Sequence, residues 1–215
     1  MASINDLATA AIASSSGTEP QTGTSPAPAA AAARGAFIVL EGLDRSGKTT
    51  QVKLLEQRFV EEGSKVKVMR FPVCDRYYHS GIVYSAAKQN PTLTLPWARA
   101  PERGLPRPDL VLFLDLTEEQ ARSRGGWGGE VYERSEMQRR VRELFWGLSM
   151  GGRDVTAQGL GLDEGEGWKQ EEEDLVVVDA GGSVEEVAEE VWRKVKGRVE
   201  QVERGEVGRT VRVVR

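Results

Sequence analysis

The chain has 215 residues, 39% of them hydrophobic, and a formal charge of −4, which suits one domain with a core of its own. The acidic balance argues against a dedicated nucleic-acid binder, which presents a basic face, but not against a nucleotide enzyme, whose phosphates need only a local basic cluster. No apolar run reaches the ~20 residues of a membrane span. The single cysteine, Cys74, has no partner for an internal disulfide and points to a reducing, intracellular compartment.

Residues 1–33 are rich in Ala, Ser, Thr and Pro and poor in aromatics, so they bury too little apolar surface to offset ordering and are expected to form a disordered extension. A mitochondrial transit peptide is disfavoured, because the first arginine is Arg34 and Asp6 and Glu19 lie where such peptides avoid acid. The texture changes at Gly35. Phe37-Ile38-Val39-Leu40 has the continuous apolar character of a strand buried on both faces. After a glycine-bearing turn, Val52, Leu55 and Phe59 share one face of a helix that Gly63 closes. The alternating residues 65–71 predict a second strand.

Leu110 to Asp115 is the strongest strand in the chain, followed by a helix capped by Thr117 and running to about Arg122. Residues 124–132, with four glycines, predict a mobile loop. Met137, Val141, Leu144, Phe145 and Leu148 mark one face of the next helix. Residues 150–174, rich in Gly, Glu and Asp, read as a solvated insertion. Leu175 to Asp179 is a buried strand, and Ser183 starts a last amphipathic helix carrying Val184, Val187, Val191 and Val195. Residues 204–215 read as a tail, leaving 34–203 as the domain. Alternating strands and helices with uniformly apolar strands predict an α/β fold on a parallel sheet.

The turn after the first strand reads Gly42-Leu43-Asp44-Arg45-Ser46-Gly47-Lys48-Thr49-Thr50. It fits the phosphate-binding pattern G-x-x-x-x-G-K-[ST] in the strand–loop–helix setting that pattern needs. Backbone N–H groups and the helix N-terminus then cradle phosphate. Lys48 supplies a charge to the β- and γ-phosphates, and the Thr49 hydroxyl can ligate Mg²⁺. Arg45, inside the cradle, is placed to brace charge on a transferring phosphoryl group, as an arginine finger does. Asp44 can orient an acceptor or pair with Arg45.

Leu40 through Gln51 closely resembles the phosphate loop of thymidylate kinases. The resemblance continues through Arg70-Phe71-Pro72, Asp75-Arg76-Tyr77, Ser80-Gly81, Ala86 and Lys88, and Gly104 through Leu110. It extends to Arg124-Gly125, Glu130 through Glu133, and Val178-Asp179-Ala180. It implies a P-loop nucleoside-monophosphate-kinase fold, ATP and dTMP as substrates, Mg²⁺ with the ATP, a homodimer, and a cytoplasmic or also nuclear location. It implies a phosphate contact for Arg76, a hold on Mg²⁺ or its water for Asp75, and Arg124 against the adenine at the start of a lid. It places Asp179 and Ala180 at the adenine pocket, and Phe71, Tyr84, Tyr132 and Gln138 with Asp44 and Arg76 around dTMP. Family members with an arginine in the phosphate loop lack one within the lid, and residues 125–132 contain none. Without the resemblance, Tyr84 reads equally well as core, Gln138 as surface and Asp179 as a strand-end cap.

One departure stands out. Asp75-Arg76-Tyr77 follows Phe71-Pro72 almost at once, whereas roughly fifty residues separate the two blocks in the family, far beyond an ordinary connection. The missing part includes an arginine for the acceptor phosphate and the helix that reads thymine. Two parallel neighbours also need a crossover that this stretch cannot hold, and Pro72 disfavours one uninterrupted central strand. An internal deletion with weak or absent dTMP turnover follows. The competing readings are a P-loop kinase for another nucleotide or nucleoside, and a nucleotide-binding protein without catalysis. A GTPase is disfavoured because no N-K-x-D follows Asp179-Ala180-Gly181-Gly182. His79 is disfavoured as a base, since positioning dominates this chemistry.

Overall fold

In the computed structural model, the described residues are 34–68, 76–124, 135–151 and 168–215, and all fall within one unit, Ala33–Arg215. Residues 1–33, the expected deletion point at 72–75 and most of the expected loop and insertion lie outside them.

Three strands form a parallel sheet in the order β1-β2-β3: β1 is Ile38–Gly42, β2 Leu110–Asp115 and β3 Leu175–Asp179. Ile38 pairs with Leu110 and Gly42 with Leu114, while Asp115 pairs with Asp179 on the other side. Every residue of central β2 is buried, and its pleat divides the core. Val111 and Phe113 join Leu43, Ile82, Val141, Phe145 and Leu148 on one face. Leu110, Leu112 and Leu114 join Leu40, Val187, Val191 and Val195 on the other. The first face is covered by α2 (Tyr78–Ala87), α3 (Leu95–Arg99) and α5 (Ser135–Ser149), with α4 (Glu118–Ser123) leading toward α5. The second is covered by α1 (Lys48–Glu61) and α7 (Val184–Glu203). Both α4 and α7 begin with reciprocal capping boxes, Thr117 with Gln120 and Ser183 with Glu186. Among the described residues no helix is long and apolar enough to cross a membrane.

Three expectations change. Residues 65–68 take no strand conformation, so no described part of the predicted second strand exists, and among the described residues β1 has a strand on one side only. The solvated insertion does not extend to its expected end, because α6 (Lys169–Asp174) is a helix that buries Gln170, Glu171 and Asp174. The stretch after Glu203 is not loose. Val213 bridges Pro106 in antiparallel fashion, the Val214 N–H donates to the Leu105 carbonyl at 2.9 Å, and the Val214 side chain is buried in the core.

This docking has an ionic frame. Arg212 donates to Asp174 at 3.1 Å and to the Pro108 carbonyl at 3.0 Å. Arg107 grips the same Asp174 at 2.6 Å, and Arg34 forks onto both oxygens of Asp109 at 2.6 and 2.7 Å. Burial alone would raise the Asp109 carboxyl, but Arg34, the Phe37 N–H and Arg212 together hold it below the usual range.

His79 shows the reverse balance. It is fully buried and stacked on Tyr78 with centroids 3.9 Å apart. Burial, with Arg99 and Arg107 nearby, pulls its pKa down to about 3, so it is neutral. Unfolding restores an ordinary value near 6.5. The unfolded chain therefore takes up the proton first, and stability present above pH ~6.5 is lost as pH falls toward the folded value. Replacing His79 by Phe is expected to remove about 2 kcal/mol of the stability lost between pH 7.5 and pH 5. Urea unfolding at the two pH values measures this, and equal pH dependence in both proteins would refute it.

Candidate active site

The phosphate loop joins β1 to α1. Gly42 ends β1 at φ 152°, and a Cβ there would lie 2.8 Å from the Leu114 carbonyl oxygen and 2.6 Å from Ser46 Oγ, so only glycine fits so close to β2. Gly47 takes the left-handed conformation at φ 88° just before α1. Arg45 takes it too, at φ 66°, an uncommon state for a residue with a side chain. The Ser46 N–H donates to the Leu43 carbonyl at 3.2 Å, closing the turn. Lys48 folds over it, donating to the carbonyls of Gly42 at 3.0 Å and Leu43 at 2.8 Å. Ser46 is buried, whereas Thr49 and Thr50 are exposed at the head of α1.

Asp44, Arg76 and Tyr84 meet next to this loop. Arg76 donates to Asp44 at 2.5 Å and lies over the Tyr84 ring at 4.5 Å. Asp44 thus pairs with Arg76. Tyr84 has its hydroxyl inside the protein and beside the arginine, and burial raises its pKa despite that arginine. Gln138 on α5 is buried, so it is not the surface residue its polarity suggested. Phe71, Asp75 and Tyr132 lie outside the described residues.

The opposite wall is made by α4 and the turn after β3. Arg124, at the end of α4, donates to the Ala180 carbonyl at 2.5 Å and to the Arg45 carbonyl at 3.2 Å, joining this wall to the phosphate loop. Asp179 accepts the Gly181 N–H at 2.8 Å, the strand-end turn that was the plainer alternative for it. A Cβ on Gly181 would meet the Gln120 amide at 2.0 Å, so the turn and α4 are in close contact.

Sequence reasoning gave Glu41 no role. It is wholly buried, yet its carboxylate accepts the Tyr77 N–H at 2.9 Å and the Ser80 hydroxyl at 2.6 Å. Burial raises its pKa against the pull of Ser80, Tyr77, Arg76 and Lys48. It ties the end of β1 to the start of α2 and so carries Arg76 to Asp44. The signal was a lone acid at the end of an apolar strand.

Among the described residues no group of three or more His, Cys, Asp and Glu could hold a metal. The exposed Thr49 at the loop fits the way Mg²⁺ is held with a nucleotide, through one or two protein oxygens, phosphates and waters.

A phosphate loop at the carboxyl edge of a parallel sheet, with helices on both faces, defines a P-loop α/β protein of the nucleoside-monophosphate-kinase type. A family model described as thymidylate kinase matches residues 69–153. The thymidylate kinase of Schizosaccharomyces pombe is 30% identical over 208 residues, covering 74% of this chain and 90% of that protein. The Homo sapiens enzyme is 31% identical over 211 residues, covering 75% and 90%. The solved thymidylate kinase of Candida albicans superposes with a TM-score of 0.55 at 22% identity, covering 85% of this chain and 99% of that one. The chain belongs to the thymidylate kinase family. The 208-position alignment draws on 74% of 215 residues, about 159, so roughly a quarter of its positions face no residue here.

Proposed function

We propose that this protein transfers the γ-phosphoryl group of MgATP to dTMP, giving dTDP and ADP, and that the chain as it stands does so weakly. The observation that carries the reading is the phosphate loop of a thymidylate kinase family member, with Arg76, Asp44 and Tyr84 gathered beside it. Lys48 and the loop N–H groups bind the donor phosphates, and Arg45 lies where charge develops on the moving phosphoryl. Arg76 meets the phosphate, while Tyr84 and Gln138 line the acceptor side with Phe71 and Tyr132. Arg124 and Ala180 border the base. Thr49 and Asp75 would hold Mg²⁺, which would supply charge neutralisation to the donor phosphates. The family resemblance supports a homodimer and a cytoplasmic or also nuclear location.

ADP release with MgATP, alone and with dTMP, dUMP, dGMP or thymidine, tests the reading. Acceleration by dTMP above the others is the expected result. If MgATP stabilises the chain against heat but no acceptor speeds ADP release, nucleotide binding without catalysis replaces it. The unmatched quarter of the relatives' alignment favours keeping that second reading.

A further inference from the structure

Asp115 closes β2 directly beside the phosphate loop, one residue beyond the Leu114 that pairs with Gly42. In P-loop NTPases a carboxylate on a strand near the loop holds Mg²⁺. Here both of its oxygens are engaged by α5. Arg142 forks onto it, Nε to Oδ1 at 2.6 Å and a terminal nitrogen to Oδ2 at 2.7 Å. Trp146, one turn further along the same helix, adds its indole N–H to Oδ2 at 3.2 Å. The carboxylate is 9% exposed and the arginine 39%, so the pair is half-shielded from water and its geometry is bidentate.

The backbone of Asp115 leads toward the nucleotide. Its carbonyl accepts the Ala180 N–H at 2.7 Å. The Ala180 carbonyl accepts Arg124 at 2.5 Å, and Arg124 also holds the Arg45 carbonyl inside the phosphate loop at 3.2 Å. An unbroken series of polar contacts thus runs from α5 through the ends of β2 and β3 to the phosphate cradle. Arg45 is the non-glycine loop position held in the left-handed state, where an external hold on its carbonyl restricts the loop's alternatives.

We infer that Asp115 and Arg142 are positioning residues for the donor nucleotide. By gripping the end of β2, α5 fixes the turn after β3, hence the place of Arg124 over the loop and the shape of the phosphate cradle. Asp115 is therefore committed to an arginine, and the metal is left to Thr49, Asp75 and the nucleotide. The inference rests on the reading of the loop as the MgATP site.

Calorimetric titration of the full chain with MgATP tests it, using Asp115→Asn, Arg142→Met and Arg142→Lys. Asp115→Asn keeps the shape of the side chain and leaves Arg142 able to reach water, so it carries the test should Arg142→Met not fold. The Asn and Met variants are expected to bind MgATP about tenfold more weakly, with Arg142→Lys in between. A purely structural role would lower the ligand-free melting temperature and leave the dissociation constant of folded variants unchanged. Folded variants within about twofold of the unsubstituted chain overturn the inference. If the unsubstituted chain itself does not bind MgATP, the reading of the loop falls and the inference with it.

Discussion

A copy of this chain carrying a complete relative's segment between Pro72 and Asp75 is expected to phosphorylate dTMP at least about a thousandfold faster than the chain as it stands. Phosphoryl transfer asks little covalent chemistry of the protein; its rate comes from holding donor and acceptor in line and stabilising the charge between them. On the proposed donor side the loop is closed over, with Lys48 at its carbonyls. Among the described residues β1 has a strand on one side only, and Arg76, proposed to meet the acceptor, rests on Asp44 and Tyr84. An acceptor held at one end only gains little of the effective concentration that two-ended positioning supplies. Steady-state rates of the two chains at saturating MgATP decide the matter. Equal efficiency would mean that another surface binds dTMP and that the gap is harmless.

In the same restored copy, Arg45→Gly is expected to lower kcat by about a thousandfold while the MgATP dissociation constant changes by only a few-fold. Glycine suits the test because Arg45 sits at φ 66°. It accepts that backbone without strain. The guanidinium is then the main thing removed, and a loss confined to kcat marks an interaction made in the transition state. A large loss of MgATP affinity with kcat preserved would make Arg45 a binding residue instead.

Much of this fold was legible because its signals are local. The apolar strands before Gly42, up to Asp115 and up to Asp179, the loop pattern, and the Thr117 and Ser183 caps each lie within a few residues of what they specify. What was missed depends on partners far away in the chain. Residues 65–68 alternate as a strand should, yet a strand exists only against a neighbour, and none of the described residues pairs with them. The acidic run of α6 looked solvated because Arg107 and Arg212, which grip Asp174, lie 67 and 38 residues from it. The apolar, small-residue run of α2 has no clear one-sided period to mark it as a helix. In the site, the phosphate loop could be read directly, but the pairing of Asp44 with Arg76 rather than Arg45 could not. It depends on Glu41 drawing the start of α2 to the end of β1, 36 residues apart.

The docked residues around Val214 bear on how the polypeptide acquires its structure during synthesis. Val214 completes a core that also contains Tyr78, Val111 and Phe145, and Arg212 completes the charge frame that Arg34 opens at Asp109. Those partners span nearly the whole domain in sequence, so residues 212–214 close contacts begun by Arg34. While the ribosome still holds that stretch, the nascent domain has an unfilled core site and buried carboxylates short of a cation. It is then most exposed to chaperones and proteases.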